Sequence, residues 1–231
     1  MIKKVLIANR GECALSILRS AKELGIETLV IYSKADAYQS YIYIADEAVC
    51  IGDKLSKDTY LNMDAIITCA IEKGCDAIHP GYGFLAENAE FARECEKAGI
   101  KFIGPKSDIL DMMGEFEREK SVHDGGFWNT DNFIYEEWLE ENLQSEAGLN
   151  IPENWVPAIQ LVSFNESGHA LGFLHLRLRL NGRLLEKGGH IGYSIRPSER
   201  GKGYAKESLR QGLQVAKEKN IQRALVTCST E

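Results

Sequence analysis

The first 103 residues alternate short apolar segments with segments of helical periodicity, which restricts the possible folds more than any other feature of the chain. Five apolar segments are predicted to be strands: residues 5–8, 28–32, 48–51, 77–78 and 101–103. The segments between them repeat apolar residues every three or four positions, as amphipathic helices do. Strands that alternate with helices are joined by right-handed crossovers and form a parallel sheet covered on both faces. The first half is therefore predicted to be an α/β domain.

Loops that follow the strands of such a sheet are the usual ligand-binding positions. Two of them are distinctive: Ala-Asn-Arg-Gly-Glu at 8–12 and His-Pro-Gly-Tyr-Gly-Phe-Leu-Ala-Glu-Asn at 79–88. Taken separately, each is a turn into a helix, with Glu12 and Glu87 placed to favour the helix N-terminus. Three further segments belong to the same pattern: residues 45–48, 60–62 and 102–105. Taken together, these segments resemble the N-terminal domain of biotin carboxylase.

The resemblance covers residues 1–114 and implies the Rossmann-like sheet that precedes an ATP-grasp domain in acetyl-CoA, pyruvate and propionyl-CoA carboxylases. In that family a Met-Gly-acid segment continues with a lysine and then with the ATP-grasp domain. Here the Met-Gly-Glu of residues 113–115 continues with Phe116, and the later sequence does not resemble that domain. Three smaller departures from the family pattern are Cys13, Ser16 and Ala86. We therefore assign no catalytic residue to the first half, and ATP, Mg²⁺ and biotin belong only to an alternative function.

The second half contains one segment, residues 190–209, in which an apolar strand, a glycine-containing turn and a helix follow each other. The turn includes Gly201 and Gly203, whose lack of side chains lets main-chain N–H groups approach a ligand closely. The first N–H groups of a helix have no partners within the helix and lie at its positive end, where they bind anions. Arg200 and Lys202 add positive charge at the same place. A pyrophosphate is the anion that fits such a turn best.

The turn also fits the pattern Arg/Gln-x-x-Gly-x-Gly/Ala, which resembles the coenzyme A loop of the GNAT N-acetyltransferase superfamily. The resemblance implies acetyl-CoA as co-substrate and an amine as acceptor. In that family the loop amides hold the pyrophosphate, and the end of the preceding strand pairs with the pantetheine arm. The residues that the resemblance assigns to cofactor binding are Ser194, Ile195, Arg200, Gly201, Lys202, Gly203, Tyr204 and Ala205.

The remaining elements of residues 115–231 predict a mixed, mostly antiparallel, GNAT-like α+β domain. Two helices are expected, at 131–147 and 203–218, and the strands besides the one before Pro197 are expected at 158–164, 169–180 and 224–228. The side chains predicted to face inward from the helices are Tyr135, Trp138, Leu139, Leu143, Ala205, Leu209, Leu213 and Ala216. In strand 169–180 leucines alternate with basic residues, so His175, Arg177 and Arg179 are predicted to face solvent. Asn181-Gly182 is predicted to close a hairpin.

Complete relatives of this second domain contain elements that have no counterpart here. A strand that precedes the first helix is replaced by carboxylase-like sequence, and the segment after strand 224–228 that supplies a tyrosine as general acid is not present. Glu186 and His190 are weak candidates for a catalytic base, and they are more simply interpreted as a solvent-facing carboxylate and a strand-face histidine. A strand exposed at a sheet edge leaves N–H and C=O groups unpaired. The C-terminal domain is therefore expected to be marginally stable unless that edge pairs with the N-terminal sheet or, in a homodimer, with a second copy of the chain.

Charge and composition restrict the partners and the compartment. The net charge is −7, with 12 acidic and 2 basic groups in residues 115–172 but 5 acidic and 12 basic groups in residues 173–231. The basic segment contains the turn, and positive charge there favours the binding of an anionic cofactor. The negative charge of the chain as a whole argues against binding of nucleic acid. Apolar runs are too short for a membrane span, the six cysteines form no Cys-x-x-Cys pair, and the five histidines show no metal-ligand spacing. These features predict a reduced, cytoplasmic protein without metal.

Three functions remain open from the sequence. The first is a GNAT-type acyl-CoA N-acyltransferase, whose activity is expected to be impaired because elements of complete relatives have no counterpart here. The second is a biotin carboxylase fragment that requires an ATP-grasp domain from another chain. The third is a non-catalytic fusion of two interrupted domains.

Overall fold

The computed structural model describes residues 1–123, 125–126 and 135–227. The chain forms two compact units, an N-terminal unit of residues 1–110 and a C-terminal unit of residues 111–231. The boundary falls inside a helix, Ser107–Arg118, a few residues before the boundary at 114 that we infer from the sequence. Each unit has its own sheet.

The N-terminal unit alternates strands and helices. Its strands are β1 (Lys4–Ile7), β2 (Glu27–Ser33), β3 (Glu47–Gly52), β4 (Ala77–His79) and β5 (Lys101–Phe102). Its helices are α1 (Gly11–Glu23), α2 (Ser40–Ile44), α3 (Met63–Glu72) and α4 (Ala89–Lys97), followed by α5 (Ser107–Arg118), which contains the boundary between the units.

The five strands form one parallel sheet in the order β3-β2-β1-β4-β5. Leu18 of α1 and Tyr41 of α2 pack on one face, and Ile66 of α3 and Phe91 of α4 pack on the other. The structure therefore confirms the predicted parallel α/β fold. Because the chain continues from β1 to β2 on one side and returns as β4 on the other, the order reverses between β1 and β4. Ligands of parallel sheets bind at the carboxyl ends of the strands beside such a reversal.

The C-terminal unit is built around a smaller sheet. After the boundary helix it contains α6 (Tyr135–Ala147), β6 (Ala158–Phe164), β7 (Ala170–Arg177), α7 (Gly182–Glu186), β8 (Ile191–Ile195) and α8 (Tyr204–Glu218). The three strands are antiparallel in the order β6-β7-β8. This arrangement confirms the predicted antiparallel sheet. The first residues of the helix predicted at 131–147, including the side chain of Tyr135, lie outside the described part.

Helix α8 packs on one face of this sheet through a narrow stripe. Its buried residues are Ser208, Gly212 and Ala216, spaced four apart. A β-carbon on Gly212 would lie 2.5 Å from Leu174 Cδ1, so the glycine lets the helix approach β7 closely. Ser208 Oγ donates to Ser163 Oγ of β6 at 3.0 Å, which satisfies both hydroxyls at this contact.

Three of the leucines predicted to face inward are exposed instead. Leu139 and Leu143 of α6 are 41% and 56% exposed, and Leu213 of α8 is 42% exposed. In α8 the small residues Ser208 and Gly212 occupy the contact line, because only small side chains fit where the helix backbone lies close to the strands. The spacing of apolar residues by itself predicts larger side chains, the leucines, along that contact line.

The structure contradicts the prediction that His175 faces solvent, whereas Arg179, beyond the end of β7, is exposed as predicted. Every residue from Ala170 to Leu176 is buried, and His175 is only 7% exposed. The second face is covered by residues that are remote in sequence: Phe116 of α5 packs against Phe173, and Gln160 Nε2 donates to the carbonyl of Gly125 at 2.5 Å. When both faces of a central strand are covered, an alternation of apolar and basic residues in its sequence does not indicate which side chains are exposed to solvent.

The prediction that Asn181-Gly182 closes a hairpin is also wrong. Asn181 Oδ1 accepts a hydrogen bond from the Leu184 N–H at 3.0 Å, so the asparagine caps the short helix α7. Asparagine serves both as a turn residue and as a helix N-cap. The chain reverses afterwards at Gly188 and Gly189, which both have positive φ.

The strand predicted at 224–228 is absent from the described residues, which end at Thr227. Residues 224–227 nevertheless contact the start of β8, because the His190 N–H donates to the Leu225 carbonyl at 2.7 Å. Beyond this contact β8 continues from Ile191 to Ile195. The basis for the expected homodimer, an exposed strand at 224–228, is therefore missing from the described part.

Gly172 of β7 permits the close pairing of β7 with β8, and we expect its replacement by alanine to destabilise the C-terminal unit by about 2 kcal/mol. A β-carbon there would lie 2.1 Å from the main-chain oxygen of Ser194, which cannot move without separating the strands. Urea unfolding followed by tryptophan fluorescence measures the change. Gly182→Ala is the control, because a β-carbon at Gly182 meets no atom within 4 Å. Equal stability of the two variants would contradict the close-pairing argument.

Candidate functional site

The turn between β8 and α8 has the backbone that the sequence predicts for it. A 3-10 turn at Pro197–Glu199 is followed by Gly201 with φ +75° and Gly203 with φ +89°. Gly203 is the N-cap of α8. A β-carbon on either glycine would meet no atom within 4 Å, so the space in front of the turn is open. Left-handed backbone at both positions favours glycine.

The main-chain N–H groups of this turn point to the start of α8. The first hydrogen bonds of the helix join the N–H groups of Lys206 and Glu207 to the Gly203 carbonyl. The N–H groups immediately before Lys206 are therefore not used by the helix, and they lie at its positive end. The Lys202 ammonium is half-exposed beside them and contacts Glu199 at 3.0 Å. These groups can bind an anion such as a pyrophosphate.

The Arg200 side chain points back to the protein. Its Nε donates to the Ile195 carbonyl at 2.9 Å, and its Nη2 donates to Ser121 Oγ at 2.6 Å. Its guanidinium also lies 6.0 Å from the centre of the Phe116 ring. Arg200 therefore fixes the turn to the end of β8. Its positive charge lies on the protein side of the main-chain N–H groups of the turn, not in the open space in front of them.

A nearly buried ion pair, which sequence patterns did not indicate, holds the same turn from the other side. Arg196 Nε donates to Glu115 Oε2 at 2.5 Å, and the Ser198 N–H donates to Glu115 Oε1 at 2.6 Å. The side chains of Arg196 and Glu115 are 11% and 13% exposed. Burial by itself would raise the pKa of Glu115, but these hydrogen bonds outweigh it and lower the pKa below the ordinary 4.5. The carboxylate is therefore ionised at neutral pH and anchors the turn to α5.

The outer edge of β8 presents main-chain groups of alternate residues. The Arg196 N–H donates to the Leu171 carbonyl, and the Arg177 N–H donates to the His190 carbonyl, which sets the alternation along the strand. Ser194 accordingly directs its N–H and C=O to β7, while Tyr193 and Ile195 direct theirs away from it. Of the two residues assigned to the pantetheine arm, only Ile195 presents its main chain outward. Tyr193 is the additional residue that this geometry brings to the edge.

The Ser194 hydroxyl faces the side of the sheet opposite α8. The residue is 8% exposed, and its Oγ has no hydrogen-bond partner among the described residues. Buried hydroxyl groups are usually paired. Ser194 can therefore donate a hydrogen bond to a bound substrate or to water.

The two candidate bases lie at the opposite end of β8 from the turn. His190 Nδ1 accepts a hydrogen bond from the Leu225 N–H at 3.0 Å, so the proton of the neutral ring is on Nε2. Burial, followed by the charge of Arg177, lowers the pKa of His190 and keeps it neutral at pH 7. Glu186 is exposed at the end of α7. In this arrangement neither nitrogen of His190 accepts a proton from a substrate.

In the N-terminal unit, the two distinctive loops meet at the carboxyl ends of β1 and β4. Asn9 Nδ2 donates to the carbonyls of Pro80 at 2.7 Å and Tyr82 at 2.9 Å. A β-carbon on Gly81 would lie 2.3 Å from Cys13 Sγ, so only glycine fits between the loops. An open pocket of ≈ 430 Å³ lies against them, at the position where the strand order reverses.

Neither a metal site nor a membrane-spanning helix is found among the described residues. No three His, Cys, Asp or Glu side chains in that part of the chain lie where they could hold a metal ion. None of its helices combines the length and hydropathy that a membrane span requires.

Comparison with protein families gives two matches that together cover the chain. Residues 1–110 match the family model of the biotin carboxylase N-terminal domain. Residues 105–231 match that of the acetyltransferase (GNAT) domain. The two matches overlap at residues 105–110, which include the start of α5. They confirm both resemblances inferred from the sequence.

Individual relatives match the N-terminal part. Biotin carboxylase 1 of Bacillus subtilis is 57% identical over 114 residues, which is 49% of this chain and 25% of that protein. The biotin carboxylase of Haemophilus influenzae is 54% identical over 115 residues, which is 50% of this chain and 26% of that protein. The chain thus spans about a quarter of the length of these relatives.

Among solved structures, the biotin carboxylase domain dimer of the Hydrogenobacter thermophilus 2-oxoglutarate carboxylase, in complex with MgADP, ADP and bicarbonate, is similar to this chain. The identity is 32%, the match covers 96% of this chain and 42% of that chain, and the TM-score is 0.50.

Proposed function

Because the chain belongs to the acetyltransferase (GNAT) family through residues 105–231, we propose that it is an acyl-CoA N-acyltransferase that moves an acetyl group from acetyl-CoA to an amine. The observation that carries this proposal is the turn at residues 200–203. Its two left-handed glycines, its open front and the N-terminus of a 15-residue helix together suit a pyrophosphate. The residues proposed to hold it are Gly201, Lys202, Gly203, Tyr204 and Ala205, with Arg200 as a positioning residue.

The edge of β8 suits the rest of the cofactor. An extended pantetheine arm carries amide groups, and strand edges bind such groups through main-chain hydrogen bonds. Tyr193 and Ile195 direct their main chains outward for this purpose, while the Ile195 carbonyl is already shared with Arg200. The arm would therefore run along β8, from the turn to the segment at Leu225.

The transfer itself requires an uncharged amine next to the thioester. The amine nitrogen bonds to the carbonyl carbon, the carbon–sulfur bond breaks, and the leaving CoA thiolate takes up the proton that the amine nitrogen loses. N–H groups at the strand edge can stabilise the oxygen that becomes negative. Since His190 and Glu186 are not arranged as bases, we expect the rate to rise with pH as free amine replaces ammonium in solution.

Release of CoA thiol from acetyl-CoA in the presence of a panel of amines tests the transfer. We expect amine-dependent release that increases between pH 7 and pH 9, because neither His190 nor Glu186 is arranged to deprotonate the acceptor. Acetyl-CoA without amine is the control. CoA binding without amine-dependent release would instead support the third function, a fusion without catalysis.

A carboxylase role for residues 1–110 is the second proposal, and the 57% identity to a biotin carboxylase favours it. In this role the N-terminal unit is a scaffold, and an ATP-grasp domain from another chain supplies the sites for ATP, Mg²⁺ and biotin. We expect this chain alone to show no ATP hydrolysis that depends on bicarbonate and biotin. Such hydrolysis by the purified chain would show that the ATP site is complete.

Homodimer formation remains a proposal, and the solved relative described as a biotin carboxylase domain dimer is consistent with it. Light scattering after size-exclusion chromatography distinguishes a dimer from a monomer of 25.8 kDa.

A further inference from the structure

The N-terminal unit has an open sheet edge beside a groove. Strand β3 is the terminal strand of the parallel sheet, and among the described residues it pairs with β2 alone. Its other edge presents the main-chain N–H and C=O groups of alternate residues, which can pair with a further strand. A groove of ≈ 490 Å³, which we call the edge groove, lies between Val49 and Ile51 of β3 and residues 62–73, which include α3.

The edge groove has an apolar side. Val49 and Ile51 are only partly buried against the core that α3 covers, and Ala65 and Cys69 of α3 lie beside them in the lining. Successive side chains of a strand point to opposite faces, so Val49 and Ile51 mark the face of β3 on which α3 lies. A strand added to this edge would therefore direct every second side chain to the edge groove.

The edge groove is also acidic. Asp64 and Glu72 of α3 line it and are exposed, and Thr68 lies between them on the same side of the helix. Neither carboxylate forms an ion pair with any described residue. Lys73 also lines the groove, but its ammonium contacts Glu47 at 2.9 Å, so its charge is compensated. The edge groove therefore favours a cationic ligand.

Glu72 is placed where a carboxylate does not stabilise its own helix. It is the last residue of α3, at the negative end of the helix, where cations are favourable and carboxylates are not. Asp64 differs, because it lies in the first turn and stabilises α3 there. The charge of Glu72 therefore suits a cation outside the helix better than it suits α3.

The spacing of the two carboxylates matches an extended chain. Helix α3 connects the parallel strands β3 and β4, so its axis runs back along the sheet. Asp64 and Glu72 are eight residues apart, which is about 12 Å along a helix. Residues four positions apart on an extended strand lie on the same face at a separation of about 13 Å.

From the open edge, the apolar groove and this spacing, we propose that β3 binds an extended segment of a partner protein that carries two basic side chains four positions apart. The segment adds a strand to the parallel sheet through main-chain hydrogen bonds. Its basic side chains contact Asp64 and Glu72, and the side chain midway between them packs on Val49 and Ile51. The proposal concerns the N-terminal unit and does not depend on CoA binding.

A second copy of the chain is a poorer partner for this edge. Pairing of β3 with β3 of another copy about a two-fold axis would place both α3 helices on the same face of the joined sheet. The Asp64 and Glu72 carboxylates of the two copies would then face each other, and like charges in such positions repel. A basic segment replaces this repulsion by attraction.

Fluorescence anisotropy with labelled heptapeptides and the whole chain tests the proposal. In Thr-Lys-Thr-Val-Thr-Lys-Thr the two lysines are four positions apart and on the same side as the valine. The isomer Thr-Thr-Lys-Val-Lys-Thr-Thr has the same charge, but its lysines are about 7 Å apart and on the side opposite the valine. We expect the first peptide to bind at least about threefold more tightly than the isomer at low ionic strength. Equal binding of the two peptides, or no binding of the first, would overturn the proposal.

Matched variants locate the binding. Glu72→Gln is expected to weaken the binding of the first peptide about threefold, since it removes one exposed ion pair. Glu23→Gln is the control, because Glu23 is the exposed last residue of α1, on the other face of the sheet. It is expected to leave the affinity unchanged. Equal weakening by both substitutions would show that the peptide responds only to the net charge of the chain.

Amide hydrogen exchange separates strand addition from attraction between charges alone. We expect the bound first peptide to slow exchange at alternate residues of β3, within Glu47–Gly52. Strand β5, at the other edge of the same sheet, serves as the internal control and is expected to be unchanged. Unchanged exchange in β3 with the peptide bound would rule out the added strand.

Discussion

Gly203→Glu is expected to weaken CoA binding at least about a hundredfold, equivalent to about 2.7 kcal/mol. Gly203 has φ +89°, a conformation that costs a residue with a side chain about 1–2 kcal/mol. The new carboxylate would lie at the N-terminus of α8, in the open space proposed for the pyrophosphate, and would repel it. Isothermal titration calorimetry with CoA measures the effect.

Gly148→Glu is the matched control for this substitution. Gly148 follows α6, has φ +75°, and has no atom closer than 3.9 Å to a β-carbon built there. The glutamate therefore adds the same charge and a similar backbone strain, near the far end of α8, where Lys219 contacts Glu146. We expect CoA affinity within about twofold of the parent chain, since the site itself is unchanged. A comparable loss in both variants would mean that strain, and not the turn, causes the effect.

Glu115→Gln is expected to destabilise the C-terminal unit by about 3 kcal/mol, because it removes the charge that Glu115 places beside the nearly buried Arg196 guanidinium. All three tryptophans of the chain lie in this unit, so their fluorescence during urea unfolding reports its stability. Glu146→Gln is the control. Glu146 and its partner Lys219 are 41% and 43% exposed, and removing such an exposed pair changes stability by less than about 1 kcal/mol.

The same ion pair predicts a pH dependence. The folded-state pKa of Glu115 is lower than its ordinary value of 4.5, so its contribution to stability is complete above pH 4.5. The contribution is lost as the pH falls below 4.5 through the folded-state pKa, because the folded state must then bind a proton. The parent chain should therefore lose more stability than Glu115→Gln as the pH is lowered from 5 to 3. An identical acid response of the two proteins would contradict this role of the pair.

Local patterns in the sequence were sufficient for the parallel sheet and for the glycine turn. Residues 5–8 are a continuous apolar run, and the burial of Val5, Leu6 and Ile7 in β1 follows from that run alone. The turn requires left-handed backbone at Gly201 and Gly203, which the glycines themselves indicate. Both features depend on residues that are adjacent in the chain.

The supporting contacts of the site could not be predicted in this way. Glu115 and Arg196 are 81 positions apart, and no pattern in either segment identifies the other as its partner. His175 likewise belongs to an alternating strand whose second face is covered by remote segments. In contrast, the assignment of both Ser194 and Ile195 to the pantetheine arm could have been corrected from the sequence. Neighbouring residues of a strand direct their main-chain groups to opposite sides, so only one of the two can face a ligand.

The central claim is that the turn at residues 200–203, with the outer edge of β8, holds acetyl-CoA. Amide hydrogen exchange of the whole chain, with and without saturating CoA, tests it most directly, because the proposed contacts are made by main-chain N–H groups. We expect CoA to slow exchange at residues 201–205 and at Tyr193 and Ile195, with little change in residues 1–110. Unchanged exchange at residues 201–205 in the presence of CoA would contradict the claim.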